Sequence, residues 1–169
     1  MKKLTINLII LSVLFPALFL FSCSGKKTIS ENFDFSLQWN TYGVSSYDSS
    51  TGKLIKTNDA THPELYETEL ILYDSKKEEI RKLISGLDFA KYPENYSLPN
   101  SRSIPPMTLC LVVDTENEHY VINAENIGQS FESDDPDAQK FLDVCSGIID
   151  IITSTDEWMS LPDYEFLYE

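Results

Sequence analysis

The sequence predicts a single α+β domain in which two helices cover one face of a mainly antiparallel sheet. Three observations predict this fold class. Residues 33–39 alternate apolar and polar side chains, which is the period of a half-buried strand. Residues 138–152 place their apolar side chains at helical spacing. Turn-forming residues between neighbouring strands favour hairpins, and hairpins pair their strands antiparallel.

The predicted elements follow the order β-β-β-α-β-β-α. The first strand begins at Phe33 and continues past a bend at Gly43. Residues 48–52 are turn formers, so residues 53–56 are predicted to return as the second strand of a hairpin. Residues 66–73 alternate again and form the third predicted strand.

The first predicted helix begins at residue 74 or 75, because Ser75 and Glu78 have the spacing of a capping box. Gly86 is its predicted C-terminal cap. The apolar stripe of this helix consists of Ile80, Leu83, Ile84 and Leu87. Residues 91–106 hold four prolines and are therefore predicted as the longest loop, without regular structure.

The second half of the chain has two predicted strands and one helix. Residues 107–113 are a dense apolar run, and residues 119–124 pair back on them. Residues 135–137 (Asp-Pro-Asp) combine a capping side chain, a proline at the first helical position and an acid in the first turn. The apolar stripe of this helix consists of Ala138, Phe141, Leu142, Cys145, Ile148, Ile149 and Ile152. The aromatic tail at residues 158–169 is expected to dock on the domain, and it could do so as a C-terminal edge strand.

Composition and charge exclude two classes of protein. The chain has 169 residues, of which 42% are apolar, so it can form one domain with a core and is not disordered along its whole length. It has 13 basic and 27 acidic residues, and its formal net charge is −14. Between Ser103 and Glu169 a single base, Lys140, stands against fifteen acids. This charge repels phosphate groups, so no binding to nucleic acid is expected.

The N-terminus has the pattern of an export signal. Lys2 and Lys3 form a positive region, and residues 4–21 are a mainly apolar stretch. This stretch runs into Leu20-Phe21-Ser22-Cys23, which resembles the lipobox of bacterial lipoprotein precursors. Phe21 departs from that pattern, which usually has a smaller residue there. The resemblance implies cleavage before Cys23 and lipidation of its thiol; an uncleaved membrane anchor and soluble secretion are the alternatives.

The resemblance also implies the organisation of the chain and its location. Residues 1–22 would be the signal peptide, residues 23–32 a polar tether and residues 33–169 the domain. Two or three acyl chains would anchor the mature protein stably, since each buried methylene contributes about 0.8 kcal/mol. We therefore expect a lipid-anchored protein on the extracytoplasmic face of a cell membrane, either inner or outer.

The sequence contains none of the catalytic motifs that we sought. Thr51-Gly52-Lys53 has only the second half of a phosphate loop, and no Gly-x-Ser-x-Gly occurs. His62 and His119 are far apart and lack the spacing of zinc ligands. We therefore expect no catalytic residue and no cofactor. Four clustered acids are predicted to interact with a helix N-terminus, with a calcium site as the alternative: Glu132, Asp134, Asp135 and Asp137.

Cys110 and Cys145 are the cysteines that remain after Cys23. Outside the cytoplasm they could form a disulfide bond. Both also lie in apolar segments, where a free thiol packs as a small hydrophobic side chain. The sequence leaves both alternatives open.

The expected function is a non-enzymatic binding or protein-interaction module at the membrane. Its acidic half would dock an envelope protein with a basic face. A carbohydrate- or peptide-binding receptor is the alternative, with a ligand loop that includes Tyr92, Tyr96 and Arg102. A hydrolase with an acidic site is a third interpretation.

Overall fold

The structure is a computed structural model, which describes residues 29–40, 45–57, 65–98, 107–128 and 131–163. The helices are α1 (Asp74–Ile84), α2 (Pro136–Thr153) and the short α3 (Asp156–Met159), and Phe89–Lys91 forms a 3₁₀ turn. The strands are β1 (Phe33–Asn40), β2 (Ser45–Asp48), β3 (Lys53–Thr57), β4 (Leu65–Glu69), β5 (Asn95–Ser97), β6 (Met107–Thr115) and β7 (His119–Ile127). The predicted α+β class is therefore confirmed.

The strands form one sheet in the order β4-β3-β2-β1-β6-β7-β5. Neighbouring strands are antiparallel except for β5 and β7, which run parallel. The prediction of a mainly antiparallel sheet is confirmed, and the order of strands and helices matches the predicted order roughly.

The core lies between the centre of the sheet and the helices. β1 and β6 pair in a register that places Leu37 opposite Leu111 and Phe35 opposite Val113. These side chains are buried in the same hydrophobic cluster as Phe141 of α2. Each such side chain contributes about 1.5–3 kcal/mol when it is fully buried, so the paired apolar rows fix how the helices lie on the sheet.

The first predicted strand is in fact two strands. β1 and β2 are antiparallel neighbours with Trp39 opposite Ser45, so the chain reverses direction between them. The prediction of one bent strand was wrong because apolar and polar residues alternate before and after the reversal alike. Residues 41–44, which include Gly43, lie outside the described residues.

Two further boundaries differ from the prediction. β5 lies inside the segment predicted as loop, where the Asn123 amide donates to the Glu94 carbonyl oxygen at 2.7 Å. A strand of three residues is too short to show periodicity. The third predicted strand ends at Glu69, although Leu70 and Leu72 remain buried as its alternation implies.

The caps of α1 were predicted incorrectly, although its first residue was among those expected. Tyr73 is the N-cap, and no side chain accepts a hydrogen bond there, so Ser75 and Glu78 form no capping box. The C-cap is Ser85, and Gly86 follows it. The Glu78 carboxylate instead accepts hydrogen bonds from Arg81 on the same helix.

The start of α2 confirms its sequence signature. The Asp135 carboxylate accepts a hydrogen bond from the Ala138 amide at 2.8 Å, and Pro136 occupies the first helical position. This cap satisfies one of the amides that a helix N-terminus leaves without an intrahelical partner.

We expect Asp135→Ala to lower the free energy of unfolding by about 1 kcal/mol, because the α2 amide loses its acceptor. The neighbouring variant Asp134→Ala removes the same charge from an exposed residue and should change stability by less than about 0.5 kcal/mol. Urea unfolding of both variants measures the difference. Equal losses would show that charge, rather than the cap, stabilises this end of α2.

Tyr47 is the largest fully buried side chain of the sheet. Its hydroxyl donates to the Leu70 carbonyl oxygen at 3.2 Å, which joins β2 to the segment after β4. Burial, with a smaller contribution from the charge of Asp48, raises the pKa of Tyr47 to about 12. The folded state therefore holds this proton more tightly than the unfolded state does.

We expect an alkaline loss of stability from this tyrosine. Its stabilising contribution is complete below the unfolded pKa near 10 and is lost as the pH rises from there to about 12. A shift of that size corresponds to about 2–3 kcal/mol. Urea midpoints of the wild type and Tyr47→Phe, measured across this range, should fall less steeply for the variant. Parallel curves would contradict the assignment to Tyr47.

Candidate functional site

A groove of about 800 Å³ lies at the end of the sheet where β1 begins, β6 ends and α1 passes. Lys77 and Arg81 are its basic side chains. The excess of acids makes the groove a surface that attracts cations and cationic side chains. Its acidic side chains are Glu31, Asp34, Asp74, Glu78, Asp114 and Glu116.

Two of these acids lie opposite each other on neighbouring strands. Asp34 on β1 lies directly opposite Asp114 on β6. Like charges at such a position are unfavourable, and each carboxylate has a compensating neighbour. The Ser49 hydroxyl donates to Asp34 Oδ1 at 2.9 Å, and His119 Nδ1 lies 2.5 Å from Asp114 Oδ1. The pair therefore depends on groups brought in by the neighbouring turns.

Arg81 closes the α1 side of the groove. Its Nε and Nη2 donate to the two oxygens of Glu78 at 2.6 and 2.8 Å, and its Nη1 donates to the Ile29 carbonyl oxygen at 2.9 Å. The guanidinium lowers the pKa of the Glu78 carboxyl. Arg81 thus balances an acid of its own helix and holds the start of the described chain against α1.

The arrangement is suited to binding positive charge. Carboxylates offer only acceptors, and Asp34 and Asp114 are both exposed to solvent. Several exposed carboxylates in an open groove together favour recognition of a cation or of a cationic side chain.

The predicted ligand-loop tyrosines pack in the core. Tyr92 is 7% exposed, and its hydroxyl donates to the Asp137 carbonyl oxygen at 2.9 Å. Tyr96 meets Tyr92 edge to face, with ring centroids 5.6 Å apart, and both rings pack against Phe141. These contacts bury most of the Tyr92 ring, which also lines a small pocket of about 360 Å³. Arg102 lies outside the described residues.

The four clustered acids around the start of α2 have separate roles. Asp135 caps the helix, and Asp137 forms an ion pair with Lys91 at 2.7 Å. Glu132 and Asp134 are exposed. Among the described residues, no group of three or more His, Cys, Asp or Glu side chains is arranged to hold a metal ion. The cap at Asp135 and the position of Asp137 in the first turn of α2 are what the helix interpretation expects of these two acids.

Cys110 and Cys145 are free thiols in the structure. Cys145 is fully buried on the α2 stripe. Cys110 lies between Leu109 and Leu111, whose side chains face the helices, so its own side chain points to the opposite, open face of the sheet. The structure therefore has no bond between the two sulfurs, and the alternating burial along β6 directs Cys110 away from the face that α2 covers. Burial raises the pKa of both thiols.

A buried cation is the feature that the sequence analysis missed. The Lys56 side chain is 3% exposed, and its Nζ lies 4.9 Å from the ring centroid of Trp158. Nζ also donates to the Leu161 carbonyl oxygen at 3.3 Å and lies 3.8 Å from Asp163 Oδ1. Lys56 follows Leu54 on the same side of β3, and that alternation was the available signal.

Comparisons with known proteins add no relative: no family model matches the sequence, and no curated protein matches it. None of the helices in the described ranges is long and apolar enough to cross a membrane. Cys23, His62 and the tail at residues 164–169 lie outside those ranges.

We expect the thiols to differ in reactivity when a Cys23→Ala protein is titrated with a disulfide reagent. Cys110 should react in the native state, with a rate that still rises above the ordinary thiol pKa of about 8.5 because burial raises its own pKa. Cys145 should react only after unfolding. Cys110→Ser should remove the native reaction, whereas Cys145→Ser should leave it. Finding no reactive thiol even after unfolding would show that the two form a disulfide.

Proposed function

We propose that the chain is the precursor of a lipid-anchored extracytoplasmic protein that binds an envelope protein through that partner's basic face, without catalysing a reaction. Leu20-Phe21-Ser22-Cys23 supports the anchor. The charge supports the partner class, because the residues after the signal carry 11 bases against 27 acids. The acid-lined groove is the single observation that carries the proposal.

The position of the groove supports binding near the membrane. Glu31 lines it and follows the lipidated residue by only eight positions. An extended chain of that length covers at most about 29 Å. The groove would therefore stay within reach of proteins embedded in, or attached to, the same membrane.

The electrostatics favour fast, selective association. Clustered charges steer an oppositely charged partner and repel like-charged ones, and their effect is screened beyond about 8 Å at physiological ionic strength. Exposed ion pairs contribute at most about 1 kcal/mol each, so binding needs several of them acting together. We therefore expect the association rate to fall as salt increases.

Crosslinking in intact cells tests the proposal. We expect the wild type to capture a protein with a basic face, identified by mass, and Cys23→Ala to lose it. A triple variant of the groove, Glu31→Lys, Asp74→Lys and Glu116→Lys, should reduce capture by at least about tenfold, because several exposed ion pairs act together.

The matched control carries the same change in charge on exposed acids outside the groove lining: Glu132→Lys, Asp134→Lys and Asp150→Lys. It should capture the partner as the wild type does. Equal capture by the groove variant and this control, or full capture without the anchor, would contradict the proposal. Circular dichroism and urea unfolding confirm that each variant is folded.

A further inference from the structure

β4 is the last strand on one side of the sheet, and its outer edge is unpaired among the described strands. The Leu70 amide donates to the Gly52 carbonyl oxygen at 2.8 Å, so the backbone at Leu70 faces the β2–β3 turn. Backbone direction alternates along a strand. The amides and carbonyls of Leu65, Glu67 and Glu69 therefore point away from β3, as the pairing template of an additional strand.

Exposed apolar side chains are concentrated on the same segment. Four large hydrophobic side chains stand out as exposed in the described structure, and three of them follow one line: Leu65 at 62%, Ile71 at 74% and Tyr73 at 82%. Glu67 and Glu69 lie between them and are also exposed. The segment thus presents backbone groups that no described strand pairs, together with a row of exposed side chains in which two acids stand between apolar residues.

The charges on this row determine what can pair with it. A second copy of the chain would bring Glu67 and Glu69 close to the same acids, and like charges across strands are destabilising. Among the described residues, Lys53 is a basic neighbour of both acids: it lies opposite Glu69 in the register and forms an ion pair with Glu67 at 2.8 Å. A strand with Lys or Arg alternating with apolar residues would instead place opposite charges beside both acids.

We propose that the basic partner inserts an extended segment along β4, as an additional strand of the sheet. This inference rests on the proposed function and names how the partner is held. Main-chain hydrogen bonds to Leu65, Glu67 and Glu69 supply affinity, and the side-chain row selects a basic, apolar strand.

The edge and the acidic groove form one continuous binding surface. Tyr73 ends the exposed row, and the next residue, Asp74, lines the groove. The pairing register also places the end of β4 at the same end of the sheet as the start of β1. A segment that continues past Tyr73 therefore enters the groove.

Hydrogen exchange of the isolated protein is the first test. The Thr68 and Leu70 amides face β3 and should exchange slowly, whereas those of Glu67 and Glu69 should exchange fast. A capped synthetic peptide of alternating Lys and Val is the probe, and it should slow exchange at Glu67 and Glu69. Slow exchange at these two amides without the peptide would overturn the proposal, because another part of the chain would already occupy the edge.

A pair of variants isolates the strand pairing. Glu67→Pro removes the outward amide and blocks pairing, and proline is tolerated at an outward-facing edge position. Glu67→Ala keeps the amide, and both variants lose the ion pair with Lys53. The Lys-Val peptide should bind Glu67→Pro at least about tenfold more weakly than Glu67→Ala. Equal affinities would refute strand addition.

Two controls complete the experiment. Slow exchange at Thr68 and Leu70 in Glu67→Pro would show that β4 still pairs with β3 in this variant. If Glu67→Pro loses β4, the double variant Glu67→Lys and Glu69→Lys is used in its place, provided that it folds. The Lys-Val peptide should bind this double variant at least about tenfold more weakly than Glu67→Ala. A Glu-Val peptide should not bind, and equal binding of both peptides would overturn the role of charge.

Capture in cells separates this inference from the proposed function. If Glu67→Pro and Glu67→Ala capture the envelope partner equally well, the strand inference is wrong and the proposed function stands. If the Lys-Val peptide adds to β4 but the wild type captures no basic protein, the edge chemistry holds and the proposed function fails.

Discussion

The pairing of β1 with β6 is the constraint on which the rest of the structure depends. It joins residues that are 68 to 82 positions apart in the sequence and aligns two apolar rows, with Leu37 opposite Leu111 at its centre. A slip of one residue would place the two apolar rows on opposite faces of the sheet, and only one of them could then contact α2. β2, β3 and β4 extend the sheet on the β1 side of this pair, and β7 extends it on the β6 side. The alignment of these outer strands therefore depends on the register of β1 with β6.

A sheet covered by helices on one face leaves its other face, its ends and its edges as the places where function can lie. Tyr92 and Tyr96 of the proline-rich segment pack against Phe141 of α2. Lys56 of β3 contacts Trp158 and the Leu161 carbonyl oxygen, so it joins this part of the chain to the sheet. The exposed chemistry that remains is acidic at the end of the sheet beside α1 and mixed acidic and apolar along β4. Both surfaces favour the same class of partner, which is positively charged.

In the proposed function, the anchor and the acidic surface would act on different parts of recognition. Lipidation at Cys23 would confine the protein to a membrane surface and raise its local concentration toward partners there. Clustered acids would then choose among those partners by charge, at a cost in self-repulsion that the core has to offset. The ion pair of Arg81 with Glu78, and its hydrogen bond to Ile29, hold the first described residues against α1 beside the groove.

The sequence alone determined the elements whose signals are local. These are the strand that begins at Phe33, whose side chains alternate, and α2, which has its cap at Asp135 and its apolar stripe. The sequence could not separate β1 from β2 or find β5, because strand pairing is decided by distant partners. The groove was equally hidden, since its acids come from segments around residues 31, 74 and 114. Only the tertiary structure decided that Tyr92 is core and Lys56 buried, because burial depends on which surfaces the sheet brings together.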